Sequence, residues 1–169
     1  MDAEALRNLQ APIKQNLREN PQAGTVTLRA SGTLGDEAIS CSVETGRTLV
    51  EAGLHPATGG EAGLACSGDM LLQALVACAG VTLKAVATAL SVPIRGGRVQ
   101  AEGDLDFRGT LGVAKDVPVG FRAIRLRFDL DTDADAGTVA KLLQLTERYC
   151  VVFQTLRGTP DLKVEHGTV

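Results

Sequence analysis

The sequence predicts a single α+β domain, and three observations carry that reading. Apolar residues recur at helical spacing at the start, then at a period of two from residue 24 onward. A long, almost wholly apolar stretch follows in the middle of the chain, and strand-like alternation returns after it. The 169 residues suffice for one substantial core but not comfortably for two, and no repeat, linker or low-complexity stretch divides them. The domain is therefore placed at 1–169, with a helical arm at 1–21 and a core at about 24–166.

The elements follow in order. Residues Ala3 to Arg18 form an amphipathic helix, with Leu6, Leu9, Ile13 and Leu17 on one face, and Asn20-Pro21 stops it. Val26, Leu28 and Ala30 alternate with polar neighbours, as do Ile39, Cys41 and Val43, giving two half-buried strands around a turn near Gly35-Asp36. A third short strand falls at Arg47 to Glu51. Residues Leu54 to Gly68, with Pro56 and Gly59-Gly60, read as a loop.

A long helix is expected from about Ser67 to Leu90, with Ser67 as N-cap, Asp69 in the first turn and Pro93 closing it. It is apolar nearly all round. A membrane span of that length is disfavoured by Gln73 and Lys84 inside it and by the lack of aromatic or basic flanks. A central helix covered on several sides is the expectation instead. Strands then follow at Arg98 to Phe107 and Phe121 to Asp131, a helix at Asp135 to Tyr149, a short helical continuation at Cys150 to Arg157, and a last strand at Leu162 to Val164.

Composition narrows the function. The net charge is −3, with no Trp, one Tyr and four Phe, so neither a basic face nor stacking rings are provided for nucleic acid. The four cysteines (Cys41, Cys66, Cys78, Cys150) are too few for a disulfide scaffold, and the two histidines, His55 and His166, stand apart. No metal site can be assembled from them. The acidic start, with no apolar run behind it, predicts no secretory signal and hence a cytoplasmic protein with reduced thiols. Cys78 lies within the apolar helix, where a thiol is either core filler or a buried reactive group. Cys150 precedes a helical segment, whose free N–H groups would favour its thiolate if the chain breaks there. Cys41, Cys66, His55 and His166 are read as spectators.

Two stretches add a resemblance. Ser67-Gly68-Asp69-Met70-Leu71-Leu72-Gln73-Ala74-Leu75-Val76-Ala77-Cys78 is similar to the Pro-Tyr-Glu-Leu-Leu-Leu-Ala-Ala-Leu-Gly-Ala-Cys pattern of the OsmC/Ohr family. Glu147-Arg148-Tyr149-Cys150-Val151-Val152-Phe153-Gln154-Thr155-Leu156 resembles the same family's second cysteine motif. Together with the element order, the likeness covers about residues 24 to 166. It implies an OsmC-like fold of antiparallel sheets wrapped around a long buried helix, in an intertwined homodimer. It also implies a thiol peroxidase acting on organic hydroperoxides, with Cys78 peroxidatic and Cys150 resolving.

The resemblance further implies an arginine, held by a carboxylate, beside the reactive thiol. Asp69 matches the acid of the pattern, while other members carry it one position earlier, at Gly68 here. The stretch Glu51 to Asp69 holds no Arg or Lys, so Arg47 is the nearest upstream candidate, followed by Arg29. No cofactor is expected beyond an external dithiol reductant, of which lipoyl-type dithiols are a family example. The competing reading is a non-catalytic dimer of the same fold that binds a small apolar ligand or senses oxidation.

Overall fold

The computed structural model describes residues 2–20, 32–34, 40–44, 49–60, 63–112 and 114–168. Helix α1 (Ala3–Glu19) opens the chain and touches the long helix α2 (Ser67–Ala89). Between them strands β1 (Gly32–Leu34), β2 (Ser40–Glu44), β3 (Leu49–Gly53) and β4 (Ala65–Cys66) form one sheet in sequence order. β1, β2 and β3 pair antiparallel, and β4 runs parallel to β3 through Ala52↔Ala65 and Gly53↔Cys66. The expected strand at Val26 to Ala30 and the turn at Gly35-Asp36 lie outside the described residues. The third strand sits two residues later than its expected position.

The glycine-rich loop is more ordered than its composition indicates. A 3-10 turn at Pro56–Thr58 is capped by His55, whose Nδ1 accepts the Ala57 N–H at 3.0 Å. Gly59 closes it in the left-handed region at φ 90°, a conformation that glycine adopts without steric cost. Helix α2 then starts directly out of β4. Cys66, extended at φ −80° and ψ 129°, is its N-cap and makes no side-chain capping bond. Ser67 is therefore already helical and does not cap the helix as its residue type predicts.

The core lies where α2 crosses the hairpin of β5 (Gly96–Asp104) and β6 (Ala123–Asp131), a nine-residue antiparallel pair. Val99, Ala101, Ile124, Leu126, Phe128 and Leu130 line its inner face, as the alternation predicts. The outer face carries charge pairs, among them Arg125 with Glu102 and Asp104, and Arg127 with Asp129. A short helix, α3 (Phe107–Thr110), occupies the hairpin connection, where the sequence predicts only the end of a strand. The Asp106 carboxylate starts it by accepting the Arg108 N–H.

Helix α4 (Ala136–Tyr149) is capped by Asp135, which accepts the N–H groups of Gly137 and Thr138 at 2.8 and 3.0 Å. Its Leu142, with no exposed surface, meets Leu83, Val86 and Ala87 of α2. Helix α5 (Val151–Arg157) follows after a single non-helical residue, Cys150. Residues 159–168 then run exposed and without regular structure. The strand expected at Leu162 to Val164 is thus a correction: alternating apolar residues are present, but no described strand runs beside them to complete a ladder.

Within the chain α2 buries one stripe only, Leu75, Ala79, Leu83, Val86 and Ala87, at helical spacing. Its other side stays open, with Val81 at 72% of full exposure. By length and composition alone α2 is long enough to cross a membrane. Its buried stripe is instead packed on β5, β6 and α4, and Lys84 Nζ donates to the Ile94 carbonyl at 3.2 Å. Among the described elements α1, β4, β5, α4 and α5 all touch α2, so the helix is central as the sequence predicts, while part of its surface stays exposed.

Candidate functional site

Two of the four cysteines meet at the seam between α2 and the α4–α5 junction. Cys78 stands near the middle of α2, half-buried, and packs on the cluster formed by Leu75, Ala79 and Cys150. Cys150 is 1% exposed. Both thiols are free. Their approach depends on the backbone at Cys150, which leaves helical geometry at φ −73° and ψ 110°. Its N–H still donates to the Thr146 carbonyl and its own carbonyl accepts from Gln154 N–H, each at 2.9 Å. Cys150 thus ends one helix and starts the next. An uninterrupted helix would spend the next amide hydrogens on carbonyls one turn back; the break releases them toward the thiols.

The electrostatics of the pair are asymmetric. Burial works against the Cys78 thiolate, yet four hydrogen bonds outweigh it and hold this thiol below its ordinary pKa. They come from the Val152 N–H, the Cys150 thiol, the Val151 N–H and the Thr82 hydroxyl. Cys150 moves the other way. Its burial dominates and raises the pKa; bonds from Phe153 and Val152 N–H oppose this, while donating its proton to Cys78 reinforces it. Of the two, Cys78 is therefore the thiol that ionises more readily, with the Cys150 thiol donating toward it. Such a pair provides a nucleophile, a proton and a second thiol at one place.

The other candidates are placed elsewhere. Asp69 lies in the first turn of α2, and nine residues of helical rise put it about 13 Å along the axis from Cys78. It lines a separate cleft of about 350 Å³ with His55, Cys66, Asp104, Phe107 and Phe121, where His55 stacks on Phe107 at 4.9 Å. Within one chain Asp69 and Cys78 are thus not brought together. Cys66 is farther from Cys78 still, about 18 Å by the same rise, too far to replace Cys150 as its disulfide partner. Arg47 and Arg29 lie outside the described residues, as does the side chain of Cys41. His166 is exposed in the C-terminal segment.

Sequence reasoning missed Thr82 and the three amides of residues 151–153. Thr82 lies four residues after Cys78, one turn along the same helix face, so its reach was readable from spacing. The amides leave no mark in residue type. Only the break at Cys150 signals them.

The fold and this junction define a class, α+β proteins in which a thiol pair is held between a long central helix and a helix break. A model of OsmC-like proteins matches residues 60–165. The chain belongs to that family. No curated protein matches by sequence. Among solved structures, an OsmC-like protein from Mycoplasma pneumoniae superposes with TM-score 0.65 at 18% identity, covering 79% of this chain and 89% of its own. An organic hydroperoxide resistance protein from Elizabethkingia anophelis gives TM-score 0.64 at 15% identity, covering 80% and 91%. The organic hydroperoxide resistance protein OhrB of Bacillus subtilis gives 0.53 at 21%, covering 83% and 97%. At these identities the superpositions establish the shared fold.

Proposed function

We propose that this protein is a thiol-dependent peroxidase that reduces organic hydroperoxides through Cys78 and Cys150. The observation that carries the reading is that Cys78 and Cys150 pack together at the helix break, where amide N–H groups and the Cys150 thiol favour ionisation of Cys78. The thiolate attacks the distal peroxide oxygen, the O–O bond breaks, and the departing alkoxide takes a proton to leave as an alcohol. Cys78 is then a sulfenic acid. The Cys150 sulfur attacks it, water leaves, and a Cys78–Cys150 disulfide remains. An external dithiol restores both thiols with two electrons and two protons. Val152 and Phe153, with the aliphatic side chains of the β5–β6 face, give the pair an apolar surround suited to an alkyl peroxide.

The same reading makes the working protein a homodimer inside the cell. The chain exposes 12760 Å², against about 7900 Å² for a compact monomer of 17.6 kDa. A second copy over the exposed side of α2 would bury part of that surface. In such a dimer the carboxylate expected from the resemblance, Asp69, which one chain keeps away from Cys78, would reach the partner's thiols. The lowered Cys78 pKa supports a reactive thiol over a site that only binds an apolar ligand, and hydroperoxide turnover separates catalysis from oxidation sensing.

The test is consumption of tert-butyl or cumene hydroperoxide with excess dithiol. Cys78→Ser is expected to abolish turnover, and Cys150→Ser to leave one rapid turnover that ends in a sulfenic acid. Undiminished turnover by Cys78→Ser would sink the proposal.

A further inference from the structure

Besides the Asp69 cleft, a second opening is lined by Cys150. It is a cleft of about 520 Å³ whose lining includes Arg148, Tyr149, Cys150, Gln154 and Thr155. Cys78 is not among its lining residues. Tyr149 and Val151, the neighbours of Cys150, are 58% and 69% exposed, so the Cys150 sulfur lies only about one side chain below the surface. The cleft is bordered by cations. Arg148 and Gln154 also line an adjoining hollow with Lys141, Glu147 and Arg157. Lys141, Arg148 and Arg157 form no ion pair with described residues, whereas Arg95, Arg108, Arg125 and Arg127 each hold a carboxylate. Arg148 lies over the Tyr149 ring at 5.6 Å. Arg148 thus stands at the approach to the Cys150 sulfur, with Lys141 and Arg157 in the hollow beside it and Glu147 the one carboxylate among them.

We propose that this cleft is the entry of the reducing dithiol, that Cys150 is the sulfur it attacks, and that Arg148 with Lys141 and Arg157 selects reductants of anionic character. This rests on the peroxidase reading for its biological setting, though not for its test. The reductant's thiolate bonds to the Cys150 sulfur, the Cys78–Cys150 bond breaks, and its electron pair leaves on Cys78. The second thiol of the reductant then attacks the reductant's own sulfur in the mixed disulfide. It closes that molecule's disulfide and releases Cys150, which takes up a proton. The reductant is oxidised by two electrons and the protein reduced by two. The direction agrees with the thiol asymmetry, since the sulfur with the lower pKa is the better leaving group. Attack at Cys78 would require expelling the worse one.

The disulfide is prepared with 2,2′-dipyridyl disulfide on a protein carrying Cys41→Ser and Cys66→Ser, so it forms whether or not the protein is a peroxidase. It is then challenged with single-thiol probes, anionic 2-mercaptoethanesulfonate and cationic cysteamine, and quenched in acid for mapping of the adduct. The expected product has the probe on Cys150 and Cys78 free. The anionic probe is expected to react faster than the cationic one at low salt, with the ratio falling about threefold in Arg148→Ala, the scale of one exposed charge. Adduct on Cys78, a ratio unmoved by Arg148→Ala, or failure of the dipyridyl reagent to join Cys78 to Cys150 would each overturn the inference. Loss of hydroperoxide turnover with the adduct still on Cys150 would overturn the peroxidase reading and leave this one standing.

Discussion

Val151→Pro tests the origin of the Cys78 thiolate with little disturbance of anything else. Val151 is the first residue of α5 and 69% exposed, so its side chain contributes little packing. Proline suits a first helical position, where the N–H has no partner within the helix. The residue before a proline prefers extended backbone, and Cys150 is already there at ψ 110°. The substitution therefore removes one donor to Cys78 while keeping the helix start. A hydrogen bond to a charged group contributes about 1.5–3 kcal/mol, and the lower end applies because Cys78 is only half-buried. A loss of about 1.5 kcal/mol corresponds to about tenfold less thiolate at a pH below the pKa. The assay is the rate of iodoacetamide modification of Cys78 at low pH, read by peptide mass. The expected result is about tenfold slower modification with an unchanged or slightly raised unfolding temperature. A rate within twofold of the parent, with the fold intact, would refute the amide-hydrogen account.

Thr82→Val, which keeps the side-chain shape and removes the hydroxyl donor, is expected to slow the same modification severalfold, read identically; an unchanged rate removes Thr82 from the site. Leu142→Ala, at a side chain with no exposed surface, is expected to destabilise the reduced protein by about 2–5 kcal/mol in urea unfolding, and a loss below 1 would contradict the packing of α4 on α2. The pH dependence of stability has a definite sign. Between the folded Cys78 pKa and the ordinary thiol value the unfolded chain binds the extra proton, so stability rises with pH across that window. Above the ordinary thiol value the unfolded chain ionises Cys150 while the folded chain keeps it protonated, so stability falls. The melting temperature of the reduced parent relative to Cys78→Ser is therefore expected to increase as pH rises through the folded Cys78 pKa; a flat difference would contradict it. By light scattering the protein is expected at twice its chain mass, and a monomer at micromolar concentration would remove the dimer.

Much of the fold is written in local patterns. The alternation Ile124, Leu126, Phe128, Leu130 fixed the inner face of β6, and its charged partners fall outside, where they pair. The span of α2 followed from its apolar run, but its surroundings did not. Hydrophobicity all round a helix says that every face wants cover, without saying which molecule provides it. Short features were hidden for a different reason. β4, two residues long, exists only through its parallel pairing with β3, a non-local contact with no local pattern. The last apolar alternation, Leu162 and Val164, misled because a strand needs a neighbour. In the site, side chains were legible and backbone was not. Cys78 and Cys150 stood out by type and position, whereas the donors that decide which one ionises are mostly main-chain N–H groups. Asp69 shows the converse. Its match to a pattern located it correctly on α2 but could not say that one chain leaves it several turns from the thiol.

The most direct measurement adds one equivalent of cumene hydroperoxide to the reduced protein and maps its disulfides by mass. The account predicts that the peroxide is consumed, that a Cys78–Cys150 disulfide forms in matching amount, and that hydrogen peroxide is a poorer oxidant. Unconsumed hydroperoxide, or oxidation scattered over Cys41 and Cys66 with Cys78 and Cys150 still reduced, would contradict it.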